Sequence, residues 1–200
     1  REARALYCSV DAEQLRRQIE PDPEFQVDLA YMGTYAPDRQ PVVQRFLNDV
    51  AKRLPERRFL VAGPQYPEDI EWSANVRHLP HLPPARHAAF YTSADWQLNA
   101  TRGDMVQAGW SPSVRIFEAG ACGAAIVSDY WPGIDQLFRP GMEIALPRST
   151  EEVCDLLTDT HPDDRRAIGE ALRQRILQEH TAERRAEELE EYLRMPAVLV

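Results

Sequence analysis

Long hydrophobic runs are missing from these 200 residues. Nothing approaches the roughly 18 uninterrupted apolar positions of a spanning helix, so a transmembrane segment is excluded. No signal-peptide pattern opens the chain, although it begins at Arg1 rather than Met, which leaves room for a leader or a whole preceding domain. Cysteine is scarce: Cys8, Cys122 and Cys154 stand at wide, unrelated spacings. They make neither a disulfide framework nor a CxxC metal pair, and their pattern points to a reducing, cytoplasmic compartment. Positive charge is also short, with 23 Lys and Arg against 32 Asp and Glu and a net charge of −9. That excludes a nucleic acid polymer as a general partner, because backbone phosphates demand a basic face. Neither GxGxxG nor GxxxxGK[ST] occurs, which removes the main support for a dinucleotide oxidoreductase or a P-loop NTPase. His78, His81 and His87 cluster in sequence, but no carboxylate or cysteine at ligand spacing completes a metal set. No metal and no cofactor are expected.

What is present is ordinary globular composition, 44% apolar and 28% charged, in a length suited to one domain. Residues 1–26 carry no sustained period and include the PDPE turn at 21–24, so they read as a linker. From Val27 apolar runs alternate with helical patterns. Strands are expected at 27–32, 59–63, 76–79, 96–100, 124–128 and, as a sixth, 143–146. Between them Val42, Val43, Phe46, Leu47, Val50 and Leu54 form one helical stripe, and Pro83-Pro84 opens a helix reaching Tyr91. Later helices begin at Ser111-Pro112 and at Thr150. From Asp163 the chain is helical almost to Leu193, with a second segment beyond Thr181. This βαβ rhythm predicts an α/β fold with a mostly parallel sheet flanked by helices. Ligands of such sheets bind at the carboxyl ends of the strands, near the topological switch. The expected organisation is a linker at 1–26, a nucleotide-sugar-binding domain at 27–181 and a terminal crossover helix and tail at 182–200.

The most informative stretch is LNATRGDMVQAGWSPSVRIFEAGACGAAIVSD, Leu98 to Asp129. Ser111 reads as an N-cap and Pro112 as the first helical residue. The free N–H groups of Ser113, Val114 and Arg115 would then face the ligand crevice as an anion site. Glu118 follows Ser113 by five residues, roughly 8 Å along the axis at about 1.5 Å per residue. A diphosphate at the helix tip would put a ribose near that carboxylate, which can accept from two vicinal hydroxyls. Most helical glutamates are merely solvated. Glu118, however, interrupts the otherwise apolar run IFEAGACGAAIV, where an unpaired carboxylate is expensive to bury.

The segment RIFEAGACGAAIVSD, followed by WPGIDQLFRPGMEIAL, resembles the donor-domain signature of GT-B glycosyltransferases. With YMGTYAPDRQP, FLVAGPQYP and HLPP, the match narrows to the branch named for the spore-maturation protein CgeB, over about Tyr31 to Leu146. The resemblance implies a Rossmann-like domain, the C-terminal half of a GT-B fold, with a nucleotide-diphosphate sugar as donor substrate. It implies that Glu118 bonds the ribose, that Ser113 and Val114 offer amides to the diphosphate, and that Gly33 and Thr34 line the cleft. His81, Leu82 and Pro64 would lie at the base. Asn99, Thr101 and Arg102 would stand at the fourth strand's end, with Arg102 either on the phosphates or simply at the surface. Catalytic residues and acceptor binding would belong partly to an N-terminal domain missing from this chain. One departure matters: an E-x7-E pair is common in retaining members, and the earlier position here is Trp110. Trp110 either stacks on a sugar face or fills a hydrophobic gap.

Asp38 and Asp135 have the positions of turn or capping residues, although either is a candidate acid. Glu187, Glu188, Glu190 and Glu191 with Arg184 and Arg185 read as a solvated helix face. Two function classes remain: the donor-binding part of a metal-independent glycosyltransferase, or a non-catalytic Rossmann-like module that binds a nucleotide or a protein.

Overall fold

The computed structural model describes residues 4–11 and 20–194. Parts of the expected linker (1–3 and 12–19) and the expected tail (195–200) lie outside the described residues. Five strands form one parallel sheet: β1 Leu29–Met32, β2 Phe59–Ala62, β3 Val76–Leu79, β4 Trp96–Asn99 and β5 Ile126–Ser128. Their order is β3-β2-β1-β4-β5. Leu29 is level with Phe59 on one side and Trp96 on the other, and Gln97 with Ile126. The central strands read as continuous apolar runs because helices cover both faces.

The period of two along each strand divides the core. Leu29, Tyr31, Phe59, Val61, Trp96 and Leu98 face one layer; Ala30, Leu60 and Ala62 face the other. The first layer is closed by helix α1 (residues 40–53) and by α6 (Thr150–Asp159), through Val43, Phe46, Leu47, Val50, Val153 and Leu157. Helix α1 runs through Gln40–Val43, a wider π-helical turn Gln44–Asn48, and Asp49–Arg53. The second layer takes α2 (His87–Ser93), α4 (Val114–Ala121) and the long α7 (Pro162–Glu179). Helix α4 packs tightly on α7 because Gly120 has no side chain. A Cβ there would stand 2.4 Å from Ile176 and 2.9 Å from Leu172, both fully buried.

Expectation and structure differ at three places. The sixth strand at 143–146 shrinks to two isolated bridges, Ala145 with Val127 and Ile144 with Pro140. Glu143 is held in a tight turn, its N–H on the Arg139 carbonyl at 2.9 Å, and Pro147 ends the ladder by lacking an N–H. The polar loop after β4 contains a short helix, α3 (Gly103–Ala108), too brief to give a hydrophobic period. Its first N–H, on Gly103, is received by Asp38 at 2.9 Å, which gives Asp38 the capping role. Finally, the cap of α4 is Ser113, not Ser111, and its first residue is Val114, not Pro112. Ser113 takes an extended backbone (φ −67°, ψ 140°), so its hydroxyl can turn back to the Arg115 N–H at 3.4 Å.

A short helix α5 (Ile134–Leu137) follows β5, and α8 (Ala182–Arg194) follows α7 after a break at His180-Thr181. Val10 bridges Thr181 at that break, and Phe25 is fully buried against Phe90. No helix among the described residues is long and apolar enough to cross a membrane.

Candidate functional site

The chain leaves β1 toward β2 and β3, then returns to the other side of β1 with β4 and β5. The carboxyl ends of β1 and β4 therefore form the switch point, where connecting loops part and leave a crevice. Helix α4 begins beside this crevice. Its tip offers the Val114 amide, while the Arg115 amide is turned to Ser113 Oγ.

One turn inside the tip stands Glu118, half-buried between Phe117 and Ala119, which are fully covered. Its Oε2 accepts from the Tyr91 hydroxyl at 3.2 Å. Burial, then the neighbouring Glu118 charge, push the Tyr91 phenol above its ordinary pKa, against the opposing pull of Arg115, so it remains a donor. Glu118 thus keeps lone pairs for a further donor from the crevice.

Arg115 is the residue whose position the sequence did not announce. Its guanidinium reaches back from α4 under the switch point and links both central strands. Nε donates to the Met32 carbonyl at 2.6 Å and Nη1 to Asn99 Oδ1 at 3.2 Å. The charge also lies over the Tyr31 ring, 5.0 Å from its centroid. A Cβ on Gly33 would fall 2.9 Å from Arg115 Nη2 and 2.5 Å from the Tyr31 hydroxyl. Glycine at 33 keeps this space open. The same loop touches Gly63, where a Cβ would meet the Gly33 carbonyl oxygen at 2.1 Å with φ at +150°.

Around Asn99 runs a buried polar chain. Asn99 Nδ2 donates to Ser128 Oγ at 2.9 Å, and Ser128 Oγ donates to the Asp129 carbonyl at 2.9 Å. Thr101 gives Asp129 both its N–H and its hydroxyl, each at 2.9 Å. Burial still outweighs those bonds and raises the Asp129 carboxyl above the usual range. The roles of Asn99 and Thr101 in this arrangement are to fix the ends of β4 and β5.

The other expected residues are distributed around the same rim. Thr34 and Pro64 are exposed, and the Pro64 carbonyl accepts from the Tyr35 N–H at 3.1 Å. His81 is exposed; Leu82 is buried, with its carbonyl 3.2 Å from His87 Nε2. Arg102 points outward, 54% exposed, and pairs through Nε with Asp38 at 3.4 Å. Trp110 adopts φ +49° and lays its ring on Gly133, where a Cβ would be 2.5 Å away; the residue as a whole is 45% exposed. His78 turns to the Gly63 carbonyl at 3.0 Å. Among the described residues no three His, Cys, Asp or Glu side chains gather as a metal would require.

A family model described as glycosyl transferase-like matches residues 39–191, most of the chain. The chain belongs to this family. No curated protein sequence matches it. Among solved structures, this glycosyl transferase-like chain is similar to sucrose-phosphate synthase from Thermosynechococcus elongatus. The TM-score is 0.70 at 14% identity, over 96% of this chain and 52% of that one. HepE from Anabaena, solved with UDP-glucose, gives 0.68 at 14% identity over 92% and 55%. AviGT4, a glycosyltransferase involved in avilamycin A biosynthesis, gives 0.62 at 17% identity over 97% and 58%. The chain spans about half the length of each. At such identities the likeness concerns the fold, which is the Rossmann-like half of a GT-B glycosyltransferase.

Proposed function

We propose that this chain is the donor-binding half of a metal-independent glycosyltransferase of the CgeB-like branch, taking a nucleotide-diphosphate sugar. The observation that carries this reading is Glu118. It is a half-buried carboxylate in an apolar helix, one turn behind an N-terminus that opens on the strand switch point. In this reading the ribose hydroxyls donate to Glu118. The diphosphate lies at the tip, against the amides of Val114 and Ser113. Gly33 and Thr34 border it, the base rests toward Pro64, His81 and Leu82, and Asn99 and Thr101 stiffen the strand ends beneath. Arg102 stands at the outer edge, already engaged by Asp38.

The family match supports glycosyl transfer as the chemistry, and the HepE structures with UDP-glucose or UDP support a nucleotide sugar as the ligand class. Residues 27–181 form the donor domain, 1–26 the linker from an acceptor domain, and 182–200 the element that crosses back. The bridge between Val10 and Thr181, which ties the leading segment to the α7–α8 junction, is in keeping with that division. An acceptor site and a catalytic base then come from another domain. The 200-residue chain alone should bind nucleotide and transfer nothing. Calorimetric titration with UDP, GDP and dTDP tests the reading: one of them binds, and Glu118→Ala abolishes or greatly weakens it without unfolding the chain. Absence of binding to all three would remove the donor assignment.

A further inference from the structure

The outer edge of the sheet is left half-finished. Ala145 commits both of its backbone groups to β5: its N–H donates to the Ile126 carbonyl and its carbonyl accepts from the Ser128 N–H, each at 2.9 Å. Backbone groups alternate in direction along an extended segment, so those of Leu146 face away from the sheet. Neither makes a hydrogen bond among the described residues, and Pro147 ends the segment. Beside them, between this segment and α6, runs a groove of about 670 Å³ floored by Pro140, Leu146, Pro147 and Leu156. Its other wall is acidic. Glu152, Asp155 and Asp159 recur at three and four residues along α6, so they share one stripe of the helix. Like charges at these spacings repel, and no Lys or Arg lines the groove to offset them. None of the three forms an ion pair among the described residues. Glu152 accepts the Arg148 N–H at 2.8 Å and Asp159 the Thr158 hydroxyl at 2.9 Å, each through one oxygen; the Asp155 carboxylate accepts no hydrogen bond among those residues.

The two walls call for different features of one occupant. An unpaired N–H and C=O on a sheet edge are a template for another extended chain. The carboxylates call for positive charge, and they are spread over about 10 Å of helix at roughly 1.5 Å per residue, too far for one small cation to meet. A second copy of this chain, with its own net charge of −9, is disfavoured. We propose that the groove docks an extended basic segment of a partner protein, paired to Leu146 at the sheet edge, with its Lys or Arg side chains on Asp155, Asp159 and the free oxygen of Glu152. In an extended chain every second side chain faces the same way, roughly 6.6 Å apart, a spacing that long basic side chains can match to these acids. Strand β5 lies between this edge and the switch point at β1 and β4, so a docked segment leaves the crevice open. Docking here does not depend on what the crevice binds.

The test uses the 200-residue chain and three fluorescein-labelled peptides: KVKVKV, its acidic counterpart EVEVEV, and KVKVKV with methylated backbone amides, which cannot pair as a strand. Anisotropy titrations compare wild type with two double variants. Asp155→Asn with Asp159→Asn removes two exposed charges from the groove, and Glu151→Gln with Glu170→Gln removes two exposed charges outside it. Circular dichroism establishes that each chain is folded. KVKVKV is expected to bind wild type and EVEVEV is not. The groove variant should weaken binding about five- to tenfold and the control by less than about twofold. Methylation should abolish binding, and hydrogen exchange at the Leu146 amide should slow when KVKVKV is bound. Equal losses in the two double variants would mean general attraction to an acidic chain and would overturn the proposal. So would undiminished binding of the methylated peptide, unchanged exchange at Leu146, or no binding of KVKVKV to wild type.

Discussion

The Tyr91 hydroxyl donates to Glu118 across 3.2 Å, joining α2 to α4 behind the tip that faces the switch point. One bond leaves the carboxylate under-used for a group this covered. Glu118→Ala should therefore change stability by no more than about 1 kcal/mol, the usual worth of a single hydrogen bond. It should weaken nucleoside diphosphate binding by about tenfold or more, since bonds to a charged acceptor contribute roughly 1.5–3 kcal/mol. Tyr91→Phe should keep the affinity within a few-fold. Titration of both variants alongside urea unfolding separates ligand loss from fold loss.

Gly63→Ala should be among the most damaging single changes. The added methyl would meet the Gly33 carbonyl oxygen at 2.1 Å, a backbone atom that cannot swing aside, at φ +150°. Urea denaturation should show a loss of at least about 2 kcal/mol, the scale of strain plus overpacking. Because the clash displaces Gly33, ligand affinity should fall with it.

Asp38 receives the Gly103 N–H at 2.9 Å and pairs with Arg102 at 3.4 Å. The first contact caps α3; the second is exposed to water. Asp38→Ala should cost about 1 kcal/mol, the value of a lost helix cap, whereas Arg102→Gln should cost well under that. Thermal melts of the two variants decide the order. Equal losses would mean that the ion pair, not the cap, is what holds this loop.

His180 sits between Phe117 and Phe138, with ring centroids 5.1 and 6.1 Å away. Burial, reinforced by the adjacent Arg185 guanidinium, pushes its pKa down to about 4. The unfolded chain takes up this proton near pH 6.5, so the histidine's contribution is complete above that pH. It declines as pH falls from 6.5 toward 4 and levels off below. His180→Phe keeps an aromatic ring at the site and should flatten that part of the Tm against pH profile. An unchanged profile would show that carboxylates alone set the acid limb.

The sheet was legible because its signal is local. FLVA at 59–62 and WQLN at 96–99 are short, bounded runs, and the stripe from Val42 to Leu54 has a helical period. The failed sixth strand shows the limit: Glu143 to Leu146 has strand composition, but Pro147 and the Arg139–Glu143 turn decide against it. The cap of α4 was missed by two residues because Ser111-Pro112 and Ser113 both carry capping chemistry, and only backbone angles choose between them. Glu118 could be singled out from its apolar neighbours. Arg115 could not, since its position in the sequence says nothing of a side chain folded back to Met32, 83 residues away in sequence. The remaining signal was an arginine in the otherwise apolar first turn of that helix, the same argument that marked Glu118.

The most direct test is a crystal structure of the chain bound to UDP or another nucleoside diphosphate. The diphosphate is expected against the amides of Val114 and Ser113, bordered by Gly33 and Thr34, with the ribose hydroxyls on Glu118. A nucleotide seated elsewhere on the domain, with Glu118 still bonded only to Tyr91, would contradict it.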